Sequence, residues 1–197
     1  MKKFINANIY RNEDATEILV EKGVITQIGK NLPMAEEEID LKGRLVVPPY
    51  VDAHLHLDYV YTGRNDGATN DTGTLFEGIA RWHDVKKHQT YEDAKERALR
   101  GIQEEVSKGV QFIRTHIDVD APKLTGLKAM LEIREGLKDN VTIQIVAFPQ
   151  EGMYAYKGGD EMVEEALKMG ADCVGSIPHF EWAREIGEKS IHKTVEL

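Results

Sequence analysis

Two hydrophobic rhythms divide the chain. Up to about Leu45 the apolar positions come in short runs, "KKFINANIY", "TEILVEKG", "VITQIGK" and "EEIDLKGR", separated by turns containing Asn, Asp or Gly. Runs of that length and spacing predict short strands in a small sheet or sandwich. Beyond Leu45 the period changes. "RLVVPPYVDAHLHLD" predicts an apolar strand, and "TLFEGIARWHDVKKHQTYEDAKERALRGIQEEVSKG" a long helical region that Asp84–Gln89 divides in two. Strand "VQFIRTHIDVD" precedes helix "KLTGLKAMLEIREGLK". Strand "VTIQIVAFPQEG" precedes helix "GDEMVEEALKMG", and strand "DCVGSIPHFEW" precedes a helix opened by "GEKSIHKTVEL". Four strand-then-helix units in succession predict an α/β fold with parallel strands and right-handed crossovers. Parallel strands covered on both faces should read as near-continuous apolar runs, as "VTIQIVAF" and "LVVPPYV" do.

Composition narrows the class without choosing a chemistry. Apolar residues make up 41% and charged residues 30%, the range of an ordinary soluble globular protein. The formal net charge is −9, with no basic stripe or arm, which argues against a nucleic-acid surface. One cysteine, Cys173, excludes an internal disulfide and a Cys-rich zinc site, and a reducing, cytoplasmic setting is expected. No apolar run approaches ~18 residues, so neither a leader nor a membrane span is expected.

The candidate chemistry gathers where strands should end. His54 and His56, His116 and Asp118, Gln150 and Glu151, and His179 and Glu181 all fall there, and in α/β folds ligands sit at the carboxyl ends of strands. Residues i and i+2 of a strand share a face, roughly 6–7 Å apart at ~3.3 Å per residue. His54 and His56 can therefore converge on one ion beyond the strand end, although an isolated H-x-H pair is also found on ordinary surfaces. Neutral imidazole suits Zn, Fe, Ni or Cu. Asp52 and Asp58 share the histidines' parity and read either as carboxylates bracing the ligands or as loop caps. The Gln150 amide offers an acceptor and donors in one plane, matching a cyclic amide or amidine, while on its own it reads equally as a solvated loop residue.

His116, Asp118 and Arg114 share a parity and are expected to form a buried network beneath the site. His179 reads as a ligand, a substrate contact or a structural histidine. Trp182 and Phe180 read as packing rather than pocket wall. His83, His88 and His192 lie among charges and are expected to face solvent, and Cys173 to belong to the core.

"PPYVDAHLHLD", "TGTLFEGIARW", "RTHIDVD", "IQIVAFPQEG" and "VGSIPHFEWAREIGEKSIHKT" together resemble the cytosine deaminase group of the amidohydrolase superfamily, in the family's order and over nearly the whole chain. The resemblance implies the first half of a TIM-like (β/α)8 metal-dependent hydrolase barrel over 48–197. It further implies that 1–47 form the N-terminal part of a composite β-sandwich, the chain being N-terminal to further family segments. It implies that His54 and His56 bind one catalytic divalent ion, Fe or Zn, that Gln150 hydrogen-bonds the pyrimidine, and that Leu75 lies near the substrate through its backbone. His179 belongs to the shared pattern without a firm role. The implied reaction is conversion of cytosine and water to uracil and ammonia, with the metal lowering the pKa of its bound water.

The family's D-x-H-x-x-E segment, a further His and a metal-binding Asp have no equivalent in these 197 residues, so the chain alone is expected to be inactive. Tyr59, Tyr61 and Arg64 fall in a loop that follows the family poorly. Two alternatives stand beside this reading. One is an amidohydrolase acting on another ring amine, such as a triazine, a creatinine-like ring or another pyrimidine. The other is a non-catalytic half-barrel that self-associates to cover its open edges.

Overall fold

The computed structural model describes residues 1–65 and 67–197. By contacts the chain divides into two compact units, Met1–Pro48 and Pro49–Leu197.

The first unit is built from β1 (Lys2–Ile5), β2 (Asn8–Ile9), β3 (Glu17–Glu21), β4 (Val24–Gly29), β5 (Glu37–Asp40) and β6 (Leu45–Val46). A four-stranded sheet has the order β4-β3-β1-β5, and β2 pairs with β6 separately. Strand β1 runs antiparallel to β3 and parallel to β5. Lys22 and Gly23, with φ of 49° and 81°, form the two-residue turn of the β3–β4 hairpin. Two positive φ values in that turn match the right-handed twist of the flanking strands. Ile18 and Leu19 are buried, and Lys3 is held at 2.8 Å from Glu38.

The second unit alternates strand and helix. Its elements are β7 (Tyr50–Leu55), α1 (Leu75–Lys86), α2 (Tyr91–Ser107), β8 (Val110–Asp118), α3 (Thr125–Leu137), β9 (Thr142–Phe148), α4 (Gly159–Met169), β10 (Cys173–Val174) and α5 (Arg184–Glu196). The strands form one parallel sheet in the order β10-β9-β8-β7, each beside its sequence neighbour, as in part of a (β/α) barrel. The expected break in the long helical region falls between Lys86 and Tyr91. There Thr90 caps α2 by accepting from the Asp93 N–H, as Thr74 caps α1 by accepting from Glu77.

Odd positions of β8 point into the core. Ile113 and Ile117 pack with Leu127, Met130 and Ile133 of α3 and with Ile143 and Ile145 of β9. In the middle of the strand Phe112 and Arg114 face the other way, and there the sheet is open: Phe112 is 44% and Val51 of β7 65% exposed, whereas Val110 and Asp118 at the strand ends are buried. The expectation of strands covered on both faces is thus met on one face only, because the helices packed on β8 and β9 lie on the odd-residue side.

The fourth strand is shorter than its sequence suggests. It keeps only Cys173–Val174 before a 3-10 turn at Pro178–Phe180. Pro178 has no N–H for a ladder and disfavours continued regular pairing through Ile177.

Candidate active site

The first pair of imidazoles sits at the irregular end of β7. Pairing with β8 slips between Asp52 and Leu55, and within that slip the Asp52 carboxylate accepts the His54 N–H at 3.0 Å. His56 follows the last strand residue, and its Nδ1 lies 2.9 Å from the His116 carbonyl oxygen. A carbonyl only accepts, so Nδ1 carries the proton and Nε2 keeps its lone pair. Burial, reinforced by the neighbouring His116 and His54 rings, pushes the His56 pKa down to about 4, so it is neutral near pH 7. The His54 and His56 ring centroids lie 5.4 Å apart, and His116 stacks on His54 at 4.1 Å.

Two imidazoles at one strand end, one of them neutral with its tautomer fixed by a backbone carbonyl, fit as two ligands of a first-row divalent metal. Among the described residues no group of three or more His, Cys, Asp or Glu is arranged to hold an ion. The donor set is therefore partial.

Among the described residues, neither candidate carboxylate hydrogen-bonds an imidazole ring. Asp52 braces the backbone at His54, and Asp58 is fully buried with Oδ2 accepting the Asp118 N–H at 2.8 Å. The second oxygen of Asp58 has no hydrogen-bond partner, and burial, then the charge of Asp118, pushes its pKa up to about 7.

Gln150 lies two residues beyond β9. It is 5% exposed, and its Oε1 is buried without a partner. It lines a cavity of about 410 Å³ together with His54, His56, Tyr59, Leu75 and Trp82. Leu75 is the first residue of α1, where backbone N–H groups have no intrahelical acceptor. His179 is exposed in the 3-10 turn and lines a separate groove with Glu181 and Trp182, not this cavity. His116 contributes its carbonyl and its stacked ring, and its own Nδ1 is buried without a partner.

Tyr59 and Trp82 carry weight that sequence reasoning misses. Tyr59 stacks on His56 with centroids 4.6 Å apart, and Trp82 packs on Tyr59 at 4.7 Å. Trp182, by contrast, is 77% exposed. The sequence signal for Trp82 is its position seven residues after Leu75, on the same helix face.

A buried polar network lies behind this wall. Asp118 Oδ2 accepts from Trp82 Nε1 at 2.6 Å and from Lys86 Nζ at 3.0 Å, and Asp118 Oδ1 accepts the Asp120 N–H. Asp120 in turn bonds the Tyr156 hydroxyl and accepts the Glu151 N–H at 2.6 Å. Burial, then the charge of Asp118, pushes the Asp120 pKa up to about 7. The expected network is thus present at Asp118, but Arg114 is outside it. Arg114 sits at an even position on the open face and bonds Gln144 at 2.5 Å. His83, expected to face solvent, is half-exposed and also meets Glu151 at 2.5 Å.

A parallel β/α sheet with each strand beside its sequence neighbour, and with imidazoles and an amide at the carboxyl ends of its strands, is the arrangement of part of a (β/α) barrel. More narrowly, the chain belongs to the amidohydrolase family, whose model matches residues 37–196. That family is generally metal-dependent. The chain is similar to an N-isopropylammelide isopropyl amidohydrolase of Pseudomonas sp. (strain ADP), with 34% identity over 146 residues, covering 72% of this chain and 36% of that protein.

Among solved structures it is similar to 5-methylcytosine deaminase from Klebsiella pneumoniae at 40% identity, covering 98% of this chain and 48% of the other. The TM-score is 0.91 for the form with phosphonocytosine and 0.87 for the form with 5-fluorocytosine. It is also similar to N-isopropylammelide isopropylaminohydrolase from Burkholderia multivorans, at 27% identity and a TM-score of 0.78, covering 99% and 49%. The chain spans about half the length of these structures and 36% of the Pseudomonas relative. The resemblance to the cytosine deaminase group agrees with these likenesses.

Proposed function

We propose that the chain carries the metal-binding strand end and the ring-recognition residue of a hydrolytic deaminase for a cytosine-like ring. The observation that carries this reading is the unpartnered, buried Gln150 Oε1 in the same cavity as His54 and His56. An unsatisfied buried acceptor is costly, and a ligand donor relieves it. The amide presents its oxygen and its NH2 group in one plane, which pairs with the N–H and acceptor edge of a cyclic amide or amidine. Tyr59, Trp82 and Phe148 supply aromatic wall for a planar ring.

His54 and His56 would hold Fe or Zn, and the His56 Nδ1–H bond to the His116 carbonyl would keep the ring turned for that task. Such an ion, when bound, supplies Lewis-acid activation of water. The overall change replaces an exocyclic C–NH2 with C=O, consuming water and releasing ammonia. The ammonia must leave with a proton from a donor, and among the described residues no acid is identified for that task. The 197-residue chain by itself is therefore expected to bind ring and metal but not to turn over.

The experiment is calorimetric titration of cytosine into the chain with Zn²⁺, beside a uracil assay on a sample whose intact mass confirms 197 residues. Binding without turnover is expected. Turnover by that sample overturns the expected inactivity of the chain alone, and absence of binding overturns the reading. A second reading, a related ring amine as substrate, is favoured by the 34% likeness to the isopropylammelide enzyme. Tighter binding of an N-alkylated triazine than of cytosine would select it.

A further inference from the structure

Lys86 is 5% exposed on the last turn of α1, although its ammonium is charged. Its Nζ lies 3.0 Å from Asp118 Oδ2 and 2.7 Å from Glu151 Oε1. Asp118 ends β8, and Glu151 stands three residues beyond β9. One ammonium therefore ties a helix to the carboxyl ends of two neighbouring strands.

Each tie reaches a residue of the cavity wall. The Asp118 oxygen that meets Lys86 also accepts the Trp82 indole N–H at 2.6 Å, and Trp82 backs the Tyr59 ring that stacks on His56. Glu151 adjoins Gln150, and its own N–H is fixed on Asp120 at 2.6 Å. Buried charge of this kind stands only when paired on all sides, and here the pairing partners are the supports of the two wall groups. We propose that Lys86 is a positioning residue: it holds Trp82 through Asp118, and Gln150 through Glu151, in the arrangement that receives a ring amide. This rests on the reading of the cavity as a ring site.

The test uses the full chain labelled with ¹⁵N, whose two tryptophans give two indole resonances. Trp182, 77% exposed, serves as the internal reference. In Lys86→Met the Trp82 indole resonance is expected to shift and its hydrogen exchange to quicken. The Gln150 amide resonances should move, and cytosine affinity should fall on the order of tenfold or more. The Trp182 resonance and the far-UV spectrum should stay unchanged, and Lys87→Met, at an exposed lysine, should move none of these.

If Lys86→Met does not fold, Glu151→Gln decides. It keeps the Lys86–Asp118 contact and should shift the Gln150 amide while leaving the Trp82 indole in place. A folded Lys86→Met with both wild-type resonances overturns the proposal, as does Glu151→Gln with an unmoved Gln150 amide. Should the wild-type chain fail to bind cytosine, the functional reading falls, and the resonances alone still decide the role of Lys86.

Discussion

The Nδ1 atom of His56 lies 2.9 Å from the backbone carbonyl oxygen of His116, across the junction of β7 and β8. The contact belongs to the backbone of one histidine and the ring of the other, so the two residues are not equivalent in any metal-binding role. His56 offers Nε2 with its orientation fixed, whereas the His116 ring stacks on His54.

That asymmetry predicts a ranking in metal binding. His54→Ala and His56→Ala should each weaken Zn²⁺ binding by about tenfold or more, which is ~1.4 kcal/mol or more. His116→Ala keeps the carbonyl and should cost clearly less. Calorimetric titration of Zn²⁺ into the three variants checks the order. Equal losses in all three would remove His56 from the ligand set as described.

Much of this arrangement is legible in residue order, for physical reasons that differ by element. Strand β9 announces itself because "TIQIVAF" is apolar almost throughout and lies in the middle of the sheet. The α1–α2 break shows because Thr90 is followed three residues later by Asp93, whose N–H it caps. His54, His56 and Gln150 stand out because each lies at or just beyond a strand end, and the structure brings all three to one cavity. Lys86 cannot be found that way. Its burial depends on two carboxylates from other strands, and a lysine in "HDVKK" has no local mark of that. Arg114 misleads for a related reason: it shares the parity of Asp118, but it lies mid-strand where the sheet is exposed, whereas Asp118 at the strand end is buried.

Two glycines should respond to alanine with opposite signs. A Cβ on Gly159 would lie 2.1 Å from the Met153 carbonyl oxygen, a backbone atom that cannot step aside. Gly159→Ala should cost roughly 2–3 kcal/mol, or about 4–12 °C in Tm for a chain of this size. Gly136 in α3 has nothing within 4 Å of the place a Cβ would take, so Gly136→Ala should gain up to about 1 kcal/mol from helix propensity. Thermal melts of both variants decide it, and a neutral Gly159→Ala would contradict the close approach.

Stability should fall as pH rises through the weakly acidic range. Asp120 in the folded chain keeps its proton up to about pH 7, because burial and the Asp118 charge oppose ionisation. The unfolded chain releases that proton near ~4. Between those values the folded state binds more protons, so stability is fully present below ~4 and is lost as pH approaches 7. Asp58, raised to about 7 for the same leading reason, adds to the slope. Asp120→Asn removes one of the two groups. Its Tm should therefore drop less between pH 5 and pH 8 than that of the wild type, and identical slopes would place the titration elsewhere.

Gln150 provides the sharpest separation of binding from folding. Its Oε1 is buried without a hydrogen-bond partner, and an unsatisfied buried acceptor costs about 1–3 kcal/mol. Gln150→Leu removes that acceptor while filling nearly the same space, so the ligand-free chain should melt at the same temperature or higher. The same change deletes the planar pair of acceptor and donors facing the cavity, and cytosine affinity should fall by about tenfold or more, or ~1.4 kcal/mol. Stability and affinity thus move in opposite directions. A substitution that merely damages the fold would lower both, and one at a residue irrelevant to the ring would lower neither. Melting curves without ligand, set beside calorimetric titration with cytosine, give both readings from one preparation. A variant that melts earlier yet binds cytosine as the wild type does would show that Gln150 is held in place by the fold and does not read the ring.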